Sequence, residues 1–373
     1  MLIQTVDVFS LATYALTAML VTALVAFPII NILYRFRIVR HFDVDFSALI
    51  ESRKEKAGTP IMGGLIFAVP VIVITVLFNL HEETAIPLFI YIMASMLGGL
   101  DDLLNIFGRA RKIRSVRRII RLIRVHKSRL VRVRMLLALP WNAYGRIIHV
   151  FESHPGKGLF GHEKLLVQVL LGILLGTWIL TVPFLPAAGE LWIPLVGGIW
   201  LGAAMIPFAA VAMIGMVNAV NITDGMDGLS GGILVSAFAG LLAVALFEGN
   251  EPIALLCATV VGALITYLYF NIPPARVQMG DIGSYGMGAL LTVVAFALDK
   301  PLLLLAFGAL FVVEFMSAFT QSIFRRLFGR RLLLMAPLHH HFEMLGWTEE
   351  KVVMRFWIFA LAAALFGVWL YFV

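Results

Sequence analysis

The sequence predicts an all-α, polytopic integral membrane protein of about ten transmembrane helices, with both termini outside and a basic amphipathic helical insert on the cytoplasmic side. Three observations carry that prediction. Hydrophobic residues make up 61% of the 373-residue chain and charged residues only 14%, with a mean hydropathy of +0.96, outside the range of soluble globular proteins. Apolar runs near the roughly 20 residues needed to cross a bilayer recur along the whole chain. All of the 29 Lys and Arg residues except Lys300 fall in four alternate segments, 35–60, 105–164, 271–281 and 325–355.

The spans read, in order, 8–34, 61–80, 85–104, 165–187, 192–217, 229–247, 253–270, 284–298, 302–324 and 354–373. The first is too long for a signal-peptide core and lacks a clear small-x-small cleavage site, so it counts as a helix. The loops opposite the basic ones are short and mostly acidic, with Glu82, Glu83, Glu190, Glu248, Glu251 and Asp299. The positive-inside rule then places every basic loop in the cytoplasm, and an odd number of spans would scramble the partition. The chain reads as one transmembrane domain, 1–373, interrupted by the basic insert 105–163. Its lone Cys257 excludes an internal disulfide.

Polar motifs interrupt this apolar pattern at the ends of spans. Lys56-Ala-Gly-Thr59-Pro60 enters the second span through a tight, glycine-paired turn, where Lys56 and Thr59 could touch an anion. The third span ends in Asp101-Asp102. Carboxylates at a helix C-terminus oppose the macrodipole, so this pair calls for a compensating cation or metal. From Arg109 to Arg134, basic residues alternate with Ile, Val and Leu at three- and four-residue spacing. That pattern predicts one amphipathic helix of about 26 residues, roughly 40 Å long, on anionic membrane lipids. No aromatic residue interleaves the run, which argues against nucleic acid.

The densest motif is Asn218-Ala-Val-Asn221-Ile-Thr-Asp224-Gly-Met-Asp227-Gly228, followed by Leu229-Ser-Gly-Gly232. Ionised carboxylates beside hydrocarbon are costly, by about 2.5 to 3.5 kcal/mol each, and tend to be functional. Gly225 and Gly228 predict a bend that lets another group approach. Later, Phe270-Asn271 leads through two prolines to Gly280-Asp281-Ile-Gly283. In the ninth span Glu314, Ser317 and Gln321 are spaced to share a polar face. Then come His339-His340-His341-Phe-Glu343 and Thr348-Glu-Glu350, the latter a helix cap with an acidic first turn.

Topology places all these motifs on the cytoplasmic face. Carboxylates with carboxamides and glycines, and without a nearby Cys, point to a hard, oxygen-ligated ion such as Mg2+. A zinc site from three contiguous histidines is disfavoured, because neighbouring side chains on one segment diverge. Lysines, arginines and histidines nearby suit phosphates. Together these features imply phosphoryl chemistry on a substrate with a lipid tail.

On these motifs the chain resembles the bacterial phospho-N-acetylmuramoyl-pentapeptide transferases, within the polyprenyl-phosphate N-acetylhexosamine-1-phosphate transferase superfamily. The resemblance rests on Lys56-Ala-Gly-Thr-Pro, Asp101-Asp102, Gly158-Leu with Lys164-Leu-Leu and Gln168, the 218–228 motif, and Phe270-Asn with Met-Gly-Asp281. His339 to Glu343, Gly346-Trp347 and Glu350 to Trp357 are specific to the muramoyl branch. The resemblance implies a Mg2+-dependent homodimer in the bacterial plasma (inner) membrane, joining UDP-N-acetylmuramoyl-pentapeptide to undecaprenyl phosphate on the cytoplasmic face. Lipid I and UMP would be the products. It implies that Asp101, Asp102 and Asp281 are catalytic, with Asp281 and Asp224 at the metal. Lys56, Thr59, Lys164, Asn221, Asp224, Asp227, Asn271, Gln321, His339, His340 and His341 would meet the substrates. Three departures stand out: Asn105 where the family has lysine, Gln278 where it has phenylalanine, and the long 105–157 connection. The rival readings are a sibling enzyme using UDP-N-acetylglucosamine, a Mg2+ or nucleotide-sugar transporter, and an inactive scaffold. Transporters place sites near the midplane and often show repeated halves; here polar residues gather at one end and no repeat is visible.

Overall fold

A computed structural model describes residues 7–39, 58–109, 116–126, 128–148, 157–182 and 189–373. Lys56 and most of the 35–60 loop lie outside these described residues.

The membrane-embedded helices are α1 (Val8–Arg35), α2 (Leu65–Phe78), α3 (Glu82–Phe107), α6 (Gly161–Thr181), α7 (Met205–Thr223), α8 (Leu229–Phe247), α9 (Glu251–Asn271), α10 (Gly280–Ala297), α11 (Ala309–Phe328) and α13 (Glu349–Phe372). The insert supplies α4 (Val116–Val125) and α5 (Arg129–Ile148), and a short α12 (Leu338–Met344) carries the histidines. Among the described residues, eight helices are long and apolar enough to cross a bilayer. A ninth span joins Pro301–Phe307 to α11 across an 82° bend, and α2 is a shorter apolar helix of 14 residues. These ten elements follow the ten sequence spans in order, and the chain is a multi-pass membrane protein.

Every residue of α10 from Ile282 to Ala297 is buried. A helix apolar all round belongs at the centre of a bundle, and α10 packs there between α3 and α7. α1 and α13 leave large residues such as Leu24 and Phe359 exposed, as lipid-facing helices do.

Four expectations need correction. The span expected at 192–217 begins with an antiparallel hairpin, β1 (Glu190–Ile193) and β2 (Gly197–Trp200), before the helix starts; Gly189, Gly197 and Gly198 punctuate the apolar run, but hydropathy alone does not register them. The 302–324 span is broken at Gly308. The helix expected from 284 starts at Gly280, which moves Asp281 from a loop into its first turn. Among the described residues, the stretch expected as a single helix from 109 to 134 holds two helices, α4 ending at Val125 and α5 running from Arg129 to Ile148.

Candidate active site

The site forms where α10 begins against α3. A Cβ on Gly98 of α3 would collide with the Asp281 carbonyl, so glycine is what allows this approach. It brings Asp102 to the exposed end of α10. One Asp102 oxygen accepts the Asp281 N–H at 3.1 Å and the other the Ile282 N–H at 3.0 Å. The first N–H groups of a helix lack intrahelical partners and favour an anion. Asp102, read from sequence as catalytic, thus has both oxygens committed to holding Asp281 in place.

Asp101 takes a different set of donors. Lys164 Nζ donates to Oδ2 at 2.5 Å and Asn105 Nδ2 at 3.3 Å, while the Leu159 N–H donates to Oδ1 at 2.6 Å. Lys164, in the first turn of α6, also lies 3.9 Å from Asp281 Oδ2 and 5.8 Å from the Tyr285 ring. Asn221 Nδ2 donates to Asp281 Oδ1 at 2.8 Å and to Ser284 Oγ at 3.0 Å. Four helices therefore meet at Asp281. The Asp101 side chain is 1% exposed, whereas those of Asp281 and Lys164 are 24% and 22% exposed. The Asp281 side chain also meets that of Asp101, so the cluster presents a pair of carboxylates beside one ammonium, with Asp281 and Lys164 its more exposed members. The cation demanded by two aspartates near a helix C-terminus is Lys164 for Asp101 and a helix N-terminus for Asp102.

Among the described residues no group of three His, Cys, Asp or Glu side chains could cage a metal. The donors that remain still fit Mg2+, which binds through one or two carboxylates and completes its shell with water and substrate phosphates. The partly exposed Asp281 carboxylate is the group for that. Asp224 ends α7 one turn beyond Asn221, its N–H bonded to the Val220 and Asn221 carbonyls.

Beyond it the 225–228 turn is fastened to neighbouring elements. Asp227 Oδ2 accepts the Ala275 N–H at 3.0 Å, and Glu349 Oε1 accepts the Asp227 N–H at 2.5 Å. Asn271 accepts the Gly228 N–H at 3.0 Å and donates to the Val277 carbonyl at 2.9 Å. Trp357 Nε1 donates to the Gly228 carbonyl at 3.1 Å. Gly228 itself has φ +78°, a left-handed conformation that disfavours other residues. The bonded groups of Asp227 and Asn271 therefore shape the loop.

The three histidines take three separate partners. His339 Nδ1 lies 3.0 Å from Glu314 Oε2, and its N–H donates to Glu314 Oε1 at 3.0 Å, with both side chains fully buried. Among the described residues its Nε2 has no hydrogen-bond partner, and it lies 2.5 Å from where a Cβ on Gly225 would fall. His340 Nδ1 pairs with Glu343 at 2.9 Å, and His341 Nδ1 accepts the Leu334 N–H at 3.2 Å. Gln321 holds the backbone of Leu332 and Leu333, while Glu314, about two turns earlier on the same helix, holds His339. Thr59 precedes Pro60, whose carbonyl accepts the Gln278 N–H at 2.8 Å, which sets its loop beside the start of α10.

Sequence reasoning passed over Ser284, Tyr285, the Leu159 N–H, and the partners of Glu314 and Glu349. For Ser284 a signal existed, since it lies three residues after Asp281 and so shares its helix face. The Leu159 amide carries no side-chain signal at all.

Comparison with known proteins bears on the chemistry. The family model described as glycosyl transferase family 4 matches residues 157–299, the segment holding Lys164, Asn221 and Asp281. The chain is 33% identical to the phospho-N-acetylmuramoyl-pentapeptide-transferase of Levilactobacillus brevis over 323 residues, covering 85% of both chains. It is 33% identical to that of Leptospira biflexa, over 84% of this chain and 81% of the relative. It is 29% identical to that of Clostridium novyi, over 96% of both. With identity of this extent and a polar cluster built from the matched segment, the chain belongs to the phospho-N-acetylmuramoyl-pentapeptide transferase family and is a membrane-embedded transferase.

Proposed function

We propose that this enzyme carries out the phosphoglycosyl transfer of peptidoglycan synthesis, moving phospho-N-acetylmuramoyl-pentapeptide from UDP-N-acetylmuramoyl-pentapeptide to undecaprenyl phosphate. An oxygen of the lipid phosphate attacks the sugar-bearing phosphorus, the bond to the bridging oxygen breaks, and UMP leaves with lipid I as the other product. The observation that carries this reading is the Asp101–Lys164–Asp281–Asn221 cluster, assembled from four helices at the end of the bundle where the basic loops lie. The reading includes a homodimer in the bacterial inner membrane with the site facing the cytoplasm, as the Lys and Arg distribution favours.

Bound Mg2+ would neutralise charge on the pyrophosphate, held by Asp281 with Asp224 as the second candidate ligand. The chain's own residues do the rest. Lys164, fixed by Asp101, presents an ammonium to a phosphate oxygen beside Asp281. Asn221 fixes the Asp281 carboxylate through Oδ1 and so sets the orientation in which its partly exposed side chain meets the substrate. Asp102 holds the start of α10 so that this geometry is set before substrate arrives. The attacking phosphate is already anionic at neutral pH, so positioning and charge neutralisation outweigh proton removal.

The test is UMP release by the purified, reconstituted enzyme given undecaprenyl phosphate and either UDP-N-acetylmuramoyl-pentapeptide or UDP-N-acetylglucosamine. Release with the first alone, lost in Asp281→Asn, is expected. Release with the second alone would assign the sibling reaction, and unchanged release by Asp281→Asn would remove that residue from the mechanism.

A further inference from the structure

The insert between α3 and α6 has a surface that the transfer reaction does not use. Residues 105–148 contain thirteen Lys and Arg and no Asp or Glu. α4 packs on α5, and α5 packs on the start of α6. The α5 contact is an aromatic one: the Trp141 and Tyr144 rings lie edge-on to buried His162 at centroid distances of 4.9 and 5.8 Å. The inward face of α5 is made of Val131, Met135, Ala138, Asn142 and Gly145, which recur at three- and four-residue spacing and are buried or half-buried.

Among the described residues, a second apolar stripe on the first half of α5 is exposed. Leu130, Val133 and Leu137 are 80%, 58% and 74% exposed, and Trp141 is 41% exposed. At about 100° per residue Leu130, Val133 and Leu137 fall within an arc of about 60°, and Trp141, at the edge of that arc, keeps part of its ring exposed while its other side meets His162. Arg129 and Arg134 border the arc on either side. An apolar stripe edged by cations and ended by a tryptophan has the composition of a helix lying in a bilayer interface.

We propose that α5 lies on the membrane surface with Leu130, Val133, Leu137 and Trp141 in the headgroup boundary, its flanking arginines bound to anionic phospholipid headgroups. Charge complementarity selects this occupant. A segment with thirteen cations and no anion meets a negatively charged lipid surface favourably, and about fivefold in partitioning comes from each Lys or Arg near it. The chain also supplies that surface. The insert leaves the end of one membrane helix, α3, and returns at the start of another, α6, so headgroups lie beside both of its ends. This inference does not depend on which nucleotide sugar the enzyme uses.

The test uses the full chain in lipid nanodiscs. The one native cysteine, Cys257, is buried, so Leu137→Cys accepts an environment-sensitive fluorophore selectively. In discs containing phosphatidylglycerol the label is expected to shift to the blue and resist quenching by aqueous iodide. In pure phosphatidylcholine, or at high salt, it is expected to return towards the aqueous signal. Adding Arg129→Gln and Arg134→Gln should raise the phosphatidylglycerol content needed for the shift, with UMP release in detergent unchanged. A label that stays aqueous in both discs, or is equally shielded in both, would overturn the assignment; equal shielding would point to packing on protein or hydrocarbon without charge selection.

Discussion

Asp102→Asn separates two roles that the sequence alone merges. In the structure Asp102 is buried and spends both oxygens on the N–H groups of Asp281 and Ile282. An asparagine keeps one acceptor and turns an NH2 group towards the other N–H. The loss is one charge-assisted hydrogen bond plus an unsatisfied buried donor, about 2–4 kcal/mol in all. With an unfolding entropy of about 2.1 cal/mol/K per residue, a chain of this length loses about 1.3 °C per kcal/mol, so the melting temperature should fall by about 3–5 °C. Turnover should fall with it, because the start of α10 carries Asp281. The assay pairs thermal unfolding in detergent with UMP release across the alkaline pH range. A large loss of turnover at unchanged melting temperature, with an altered pH profile, would refute the capping role and give Asp102 a direct part in the reaction.

Other outcomes follow from the same geometry. Gly98→Ala drives a Cβ into the Asp281 backbone, where neither side can yield cheaply, and should cost about 1–3 kcal/mol together with activity; Gly215→Ala, where a Cβ meets nothing within 4 Å, should be neutral or mildly stabilising in the same melting assay. Glu314→Gln leaves one of the two bonds to His339 poorly made, and Nε2 is the ring nitrogen left facing Gly225, so turnover should drop about tenfold, the value of roughly 1.4 kcal/mol in one such bond; full activity in steady-state kinetics would remove His339 from the site. On the opposite side of the bundle, burial pushes the Asp299 carboxyl up to about 6 from 3.8, with Glu190 and Glu248 adding to the rise and Lys300 opposing it. The folded state therefore favours the protonated form, a contribution present below about pH 4 and lost as pH rises through 6. Asp299→Asn should raise the melting temperature at pH 7 and leave it unchanged at pH 4, and an equal effect at both values would contradict the burial argument.

Much of the fold was legible because a bilayer imposes a simple rule on the chain. Runs of apolar residues separated by Lys- and Arg-rich loops gave ten membrane elements in their right order. What the runs could not show was local geometry. The hairpin at 190–200 is as apolar as a span, and only its glycines distinguish it. The break at Gly308 bends a continuous apolar stretch without changing its composition. In the site, Asp101, Asp281, Asn221 and Lys164 stood out because polar groups beside hydrocarbon are expensive. The division of labour did not, because it depends on which helix end each group meets. Asp101 and Asp102 are adjacent and chemically identical, yet one binds a lysine and the other a helix N-terminus. For Asp227, Asn271 and Gln321 the resemblance implies substrate contact, and what no motif could convey is that each also bonds to backbone.

The account rests on the Asp281 carboxylate as the metal ligand beside Lys164. Anomalous diffraction from Mn2+ bound to the enzyme with a UDP-sugar analogue tests this most directly. The account predicts a single manganese peak at about 2.1–2.2 Å from the Asp281 carboxylate, with the pyrophosphate completing its shell and Lys164 on a phosphate oxygen. A peak away from Asp281, or one that persists undiminished in Asp281→Asn, would contradict it.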